Sequence, residues 1–186
     1  MNIYIIIGII AGFVVAILIG WFVSIYNRFF RLRNSAESTL GQTRVAMKKR
    51  LDMIDQLLGA VKSYATFEKE TLEKVTQMRS TVGNASARDM KDIEDGARGI
   101  LGRVYAVAES YPDLKTSSVV KDLTGAITEI EGEIARQRYT YNNIVQEYNT
   151  MLETIPSNLV GNALSLKKMD YLEIGEEAEK PPKVEF

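Results

Sequence analysis

Residues 3–26 read IYIIIGIIAGFVVAILIGWFVSIY without one charged side chain, and the first charges of the chain are Arg28, Arg31 and Arg33. A helix of about 20 apolar residues crosses the roughly 30 Å hydrocarbon core of a bilayer, so this segment is long enough to span it with some tilt. Trp21, Tyr4 and Tyr26 stand near its ends, where interfacial anchors belong. A cleaved signal peptide is the competing reading. It is disfavoured by the missing basic n-region, the length of the apolar stretch and the lack of a small-x-small site before a polar start. With no cysteine to acylate, a lipoprotein is excluded. Only Met1 and Asn2 precede the segment, whereas three arginines follow it. The positive-inside rule therefore expects the N-terminus outside and the bulk of the chain in the cytoplasm. The arginines set this topology, and contact with anionic headgroups would add about 1 kcal/mol for each.

Gly8, Gly12, Ala16 and Gly20 recur every fourth residue on one face of the segment. Small residues let helix backbones approach closely in lipid, where no hydrophobic drive brings helices together. Such a stripe, flanked by bulky Ile, Val and Leu, reads as a self-association face. A second copy of the chain is its simplest partner.

Beyond the membrane segment, the apolar spacing is helical throughout. Met47, Leu51, Ile54, Leu58, Val61, Ala65, Leu72 and Val75 alternate steps of four and three, with Glu68 the one charged position, and Leu57, Tyr64 and Met78 widen the seam. No residue from Arg28 to Arg79 obligatorily ends a helix, so the spacing predicts a stalk of roughly 70 Å from Asn34 to Arg79. Gly83-Asn84 predicts a turn within 81–86. A second helix is expected from Ala87 to Ser110, with the seam Met90, Ile93, Ala97, Ile100, Val104 and Val107. Gly96, Gly99 and Gly102 on its side suggest close helix approach; a phosphate loop would need a preceding strand. Tyr111-Pro112 ends that helix, and Thr116, Ser117 and Ser118 offer caps for a third, from Val119 to Thr154. Its seam runs through Val120, Leu123, Ile127, Ile130, Ile134, Tyr141, Ile144, Tyr148, Met151 and Ile155, and Pro156 stops it. A short fourth helix, 158–166, follows.

The expected fold class is thus all-α: one N-terminal transmembrane helix (1–27), a cytoplasmic antiparallel four-helix bundle of coiled-coil type (28–168), and an acidic, extended C-terminal tail (169–186).

Chemistry-bearing candidates are few. The chain has no histidine and no cysteine, which removes thiol nucleophiles, Cys/His zinc sites and His-dependent acid–base work. A net charge of −1 argues against nucleic acid. Asp92, Glu94 and Asp95 cluster near a helix start, where the dipole alone favours acids. Glu129, Glu131 and Glu133 are spaced by two and point apart on a helix. Lys48, Lys49 and Arg50 form a basic step that either faces water or meets an acidic partner, and Val184 and Phe186 at the tail are further partner-binding candidates. Tyr141-Asn142 and Tyr148-Asn149, seven apart, read as a polar layer between helices. No catalytic residue, cofactor, metal or small-molecule substrate is expected.

Several ordered segments carry a resemblance. They are Tyr26-Asn27 with Leu32-Arg33-Asn34, Lys49-Arg50-Leu51-Asp52-Met53-Ile54, and Val61-Lys62-Ser63-Tyr64-Ala65 with Glu68, Val75 and Arg79. Further on come Tyr111-Pro112-Asp113-Leu114-Lys115, Ala135-Arg136 with Arg138, Tyr141-Asn142, Val145, Tyr148-Asn149 and Pro156-Ser157-Asn158, and the ending Pro182-Lys183-Val184-Glu185-Phe186. In this order they resemble the LemA family of membrane-anchored proteins. Asp55 stands where that family usually has proline, and Phe67 where it often has histidine. The resemblance implies a single membrane helix, a cytoplasmic helical bundle and no established enzymatic activity, with relatives implicated in remodelling organelle membranes or linked to membrane proteases and signalling.

Three functions compete on these grounds. The first is a structural protein that self-associates and organises or remodels the membrane. The second is an adaptor that tethers or regulates a membrane protease or signalling protein. The third, a carboxylate-dependent hydrolase, needs a cleft that a heptad-packed bundle leaves little room for. Membrane lipid and further copies of the chain are the expected partners, with a membrane protein as an additional one.

Overall fold

The structure, a computed structural model, describes residues 3–65 and 68–173. Phe67, Val184, Phe186 and the acidic tail residues Glu176, Glu177 and Glu179 lie outside the described residues. The described chain is all-helical, with no strand: α1 (Ile3–Val61), α2 (Lys69–Thr81), α3 (Asp89–Ser110), α4 (Pro112–Thr116), α5 (Ser118–Glu153) and α6 (Ser157–Ala163), with a 3₁₀ turn at Val82–Asn84. Chain contacts divide it into two compact units. Unit 1 holds residues up to Glu37 with Asn143–Met169, and unit 2 holds Ser38–Asn142 with the chain from Asp170.

In unit 2, the heptad seam of α1 is the core. Met47, Leu51, Ile54, Leu57, Leu58 and Val61 are buried, as are Met90, Ile93, Ala97, Ile100 and Val104 of α3 and Ile127, Ile130 and Ile134 of α5. The predicted stalk is interrupted. After Val61 the chain leaves the helix, with the Tyr64 and Ala65 amides both donating to the Val61 carbonyl (3.0 and 3.2 Å), and Glu68 is extended before α2 begins. No proline marks this exit, although Gly59 weakens the last turn before it. Ser63 and Tyr64 are only middling helix formers, and a fold-back secures what a continuous helix would leave wet. Val75 and Met78 of α2 are buried, and Arg79 forks onto Asp52 (2.6 Å) and Asp55 (2.8 Å), which share one face of α1. Asp55 thereby uses the position where the family resemblance led one to expect proline.

The other boundaries follow local chemistry. Ser86 and Asp89 bond reciprocally at the start of α3: the Ser86 amide and hydroxyl donate to Asp89 Oδ2 (3.0 and 2.7 Å), and the Asp89 amide donates to Ser86 Oγ (3.3 Å). This is a capping box in all but the acid's length, and these bonds hold the Asp89 carboxyl below the usual range. Pro112 opens α4, where its missing N–H costs nothing. Of the three spaced glycines, only Gly96 sits at a close approach. A Cβ there would meet Met78 Sδ at 2.8 Å, whereas Gly99 and Gly102 have open space.

In unit 1, Phe29 of α1 packs edge-on against Tyr148 of α5 (ring centroids 5.5 Å apart, 79° between planes), with Met151 and Val160 completing the centre. Trp21, Ile25, Leu32, Leu152 and Leu164 surround it. The α5–α6 corner is tied by the buried Ser157, whose hydroxyl lies 2.7 Å from the Met151 carbonyl and 3.0 Å from that of Thr154, satisfying end-of-helix acceptors. The Ile155–Pro156 peptide is cis. Gly161 lets α6 approach its neighbours, since a Cβ there would meet Leu152 Cδ2 at 2.7 Å and Phe29 at 3.4 Å. Past α6, Ser165 takes a left-handed φ of 52° and the Leu166 amide donates back to the Gly161 carbonyl (3.0 Å), a C-terminal cap. Ile155 departs from the predicted seam: it is 83 % exposed, and Val145, absent from that seam, is fully buried.

Candidate membrane-anchoring site

Among the described residues, the first part of α1 is left uncovered. Every residue from Ile3 to Gly20 is exposed. A Cβ added at Gly8, Gly12 or Gly20 would meet nothing within 4 Å, and Ala16 on the same face is exposed. This stretch is long and apolar enough to cross a membrane, and none of the described residues covers it.

Cover begins at Trp21. Trp21 and Ile25 line a groove of about 640 Å³ with Arg28, Asn143, Gln146, Glu147, Met151 and the corner residues Thr154, Pro156 and Ser157. Its apolar end carries the indole, and its polar end carries Arg28, whose Nε (3.1 Å) and Nη2 (2.8 Å) both donate to Glu147 Oε1. This exposed pair stabilises little in water, typically under about 1 kcal/mol; its value is to set the register of α5 on α1. Arg31 and Arg33 are exposed. Burial pushes the Tyr148 phenol above its ordinary range, with the Arg33 charge pulling the other way.

The Tyr-Asn repeat does something its sequence spacing did not disclose. In unit 1, the Asn149 side chain holds the Met169 peptide at both ends, donating to its carbonyl (3.0 Å) and accepting from its amide (2.9 Å). In unit 2, Asn142 does the same to Leu172 (3.1 and 2.8 Å), and the Tyr141 hydroxyl donates to the Asp170 carbonyl (3.1 Å). Asn142, Asn149 and Tyr141 thus bond backbone, where the spacing predicts a polar layer between helices.

The basic step divides. Lys48 and Lys49 are exposed, but Arg50 is turned inward. Its guanidinium, 2 % exposed, pairs with Glu94 of α3 (2.5 Å) and Glu131 of α5 (2.9 Å), and its Nε finds no partner among the described residues. Arg50 is therefore an internal clamp, which corrects its reading as a partner contact. The same pairing, with Arg98 adding to it (3.3 Å), commits Glu94 internally and separates it from the exposed Asp92 and Asp95. Sequence spacing alone could not place Arg50: the seam positions Met47, Leu51 and Ile54 flank it, and only the facing acids on other helices make its burial tolerable.

An uncovered apolar helix joined to a helical body, with arginines at the join, defines a class of helical protein suited to a membrane. The LemA family model matches residues 39–186, and the chain belongs to that family. It is 29 % identical over 167 residues to Protein LemA of Metamycoplasma hominis, covering 85 % of this chain and 75 % of that protein. It is 23 % identical over 175 residues to Magnetosome protein MamQ 2 of Paramagnetospirillum magneticum, and 21 % over 173 residues to Magnetosome protein MamQ of Magnetospirillum gryphiswaldense. These matches cover 80 % and 78 % of this chain but only 64 % of each MamQ protein.

Proposed function

We propose that this chain is a membrane-anchored structural protein that gathers copies of itself to organise or remodel a membrane, with its helical body an antiparallel bundle in the cytoplasm and no reaction of its own. The observation that carries this reading is the uncovered segment Ile3–Gly20 and the position of its small residues. At about 100° per helical residue, Trp21, Ile25, Arg28 and Phe29 centre on the face of α1 that α5 and α6 cover. Gly8, Gly12, Ala16 and Gly20 centre on the opposite face. The small-residue stripe is therefore left free for a second helix in the bilayer, where close backbone approach is the main source of association. That relatives are named magnetosome proteins, after a membrane organelle, supports a membrane-organising task.

Cross-linking of the full-length protein in liposomes, compared with Gly12→Leu, tests this. The variant is expected to lower the dimer and higher-oligomer yield several-fold, because a leucine holds the backbones apart. Equal yields, or a monomer for the unaltered protein by mass photometry in nanodiscs, overturn self-association. A monomer would favour the adaptor reading, in which a protease or signalling protein is held at the membrane through exposed groups such as Lys48 and Lys49.

A further inference from the structure

The corner between α5 and α6 offers a second contact with the membrane, an inference that rests on the anchoring reading above. Within unit 1, α1 and the end of α5 run antiparallel. Arg28 pairs with Glu147, and Trp21 shares a groove with Thr154 and Pro156. Seven residues back along α1 lead from Arg28 to Trp21, and seven forward along α5 lead from Glu147 to Thr154; each step advances about 10 Å. The corner thus reaches past the arginines to the depth of Trp21, beside the start of the uncovered span. From there α6 turns back, so that Gly161 lies against Phe29.

At this tip the chain presents apolar side chains outward. Ile155 is 83 % exposed and Leu159 61 % exposed, and no large apolar residue described beyond Trp21 is more exposed than Ile155. A single exposed isoleucine on a water-facing surface needs no explanation, but one level with an interfacial tryptophan does not face bulk water. The acid nearest the tip, Glu153, is paired with Lys168, which lowers the cost of bringing it to the headgroups. Trp21 itself has its indole over the same groove, at the level where aromatic rings gather at a bilayer boundary.

We infer that the α5–α6 corner docks into the interface of the bilayer that α1 crosses, placing Ile155 and Leu159 at the boundary between headgroups and acyl chains. Two contacts on opposite sides of the Phe29 packing fix the rotation of α1 about its axis. The small-residue stripe then points away from the corner.

The absence of cysteine makes the test direct, because one introduced thiol is the only label site. Full-length Ile155→Cys, Leu159→Cys, Ile10→Cys and Asn143→Cys are each labelled with an environment-sensitive fluorophore in phosphatidylcholine–phosphatidylglycerol liposomes. Quenching by a lipid bearing a shallow acyl-chain nitroxide is then compared with quenching by aqueous iodide. Positions 155 and 159 are expected to respond to the lipid quencher at least about 3-fold more than position 143, as suits groups about 5–10 Å into the boundary. Quenching at 155 and 159 that matches 143, while position 10 remains in lipid, overturns the docked corner and leaves the anchor standing. An aqueous response at position 10 overturns the anchor and the corner together. Protection of 155 and 159 from both quenchers means protein covers them and also overturns the inference.

Discussion

The two ends of α1 both carry many apolar residues and are opposite in fate. From Ile3 to Gly20 no residue is covered, whereas Met47, Leu51, Ile54, Leu58 and Val61 are at most 1 % exposed. The difference lies in pattern. The second stretch alternates steps of four and three, so one side meets other helices while Lys48, Lys49 and Gln56 meet water. The first stretch is apolar all round and has no side to give to water, so its whole surroundings must be apolar. One continuous helix therefore joins a stretch suited to an apolar surrounding to a stretch that packs on protein, and Phe29 marks the change as the first of its described residues to be fully buried. The two regions should accordingly fail separately when each is damaged.

The largest effect is expected at Arg50. Replacing it with methionine leaves Glu94 buried with only the partly exposed Arg98 beside it, and breaking a buried pair from one side costs about 3–5 kcal/mol. Chemical denaturation of the full-length protein in detergent, followed by hydrogen exchange, checks this. Exchange should rise along α3 and the 38–61 part of α1, with residues 3–20 unchanged. Arg50→Met with Glu94→Leu should recover most of the loss, since removing both charges removes the desolvation cost as well. A single variant as stable as the parent would mean that the guanidinium is solvated.

The mirror experiment damages unit 1. Phe29→Ala empties the space between Tyr148, Val160 and Gly161, and truncating a buried phenylalanine costs about 3 kcal/mol or more. Exchange and proteolysis should rise in α6 and at the end of α5, while the surroundings of Arg50 keep their protection. If loosening instead spreads uniformly over both units, they are one cooperative body and the contrast drawn above fails.

The sequence disclosed those elements whose cause is local. The apolar span, the seam of α3, most of the seam of α5, the Gly83-Asn84 turn and the stop at Pro156 each have a local cause in the sequence. What it did not disclose depends on partners far along the chain. The end of α1 after Val61 has only Gly59 before it, which does not by itself stop a helix, and is understood only once Arg79 is seen on Asp52 and Asp55. Arg50 sits in a basic run, and its burial depends on Glu94 and Glu131, on two other helices. The asparagine grips were visible as a seven-residue repeat, but the irregular backbone they hold has no signature of its own. At the candidate anchoring site, the uncovered apolar span was legible. The exposed corner at Ile155 was not, because periodicity assigned that residue to the seam.

The smallest effect belongs to the start of α3 and sharpens the contrast at the level of a single turn. Ser86→Ala removes the hydroxyl that caps the Asp89 amide, and losing such a cap costs about 1 kcal/mol. The effect should depend on pH. The Asp89 carboxyl is held below its ordinary range chiefly by the Ser86 hydroxyl, with the Ser86 amide adding to it. A carboxylate whose folded value is lowered contributes stability that is complete above its unfolded value and disappears as pH falls through the folded one. The parent should therefore exceed the variant in stability by a constant margin above about pH 5 and by a shrinking margin as the pH falls below the ordinary carboxylate range and through the lowered folded value, beneath which the carboxylate is protonated in both states. Denaturation midpoints measured across that range decide it. A margin that stays level on acidification would show that the hydroxyl acts on the helix amide alone, and the anchor region, which has no acid in its first turn, would then be no different from α3 in its response to acid.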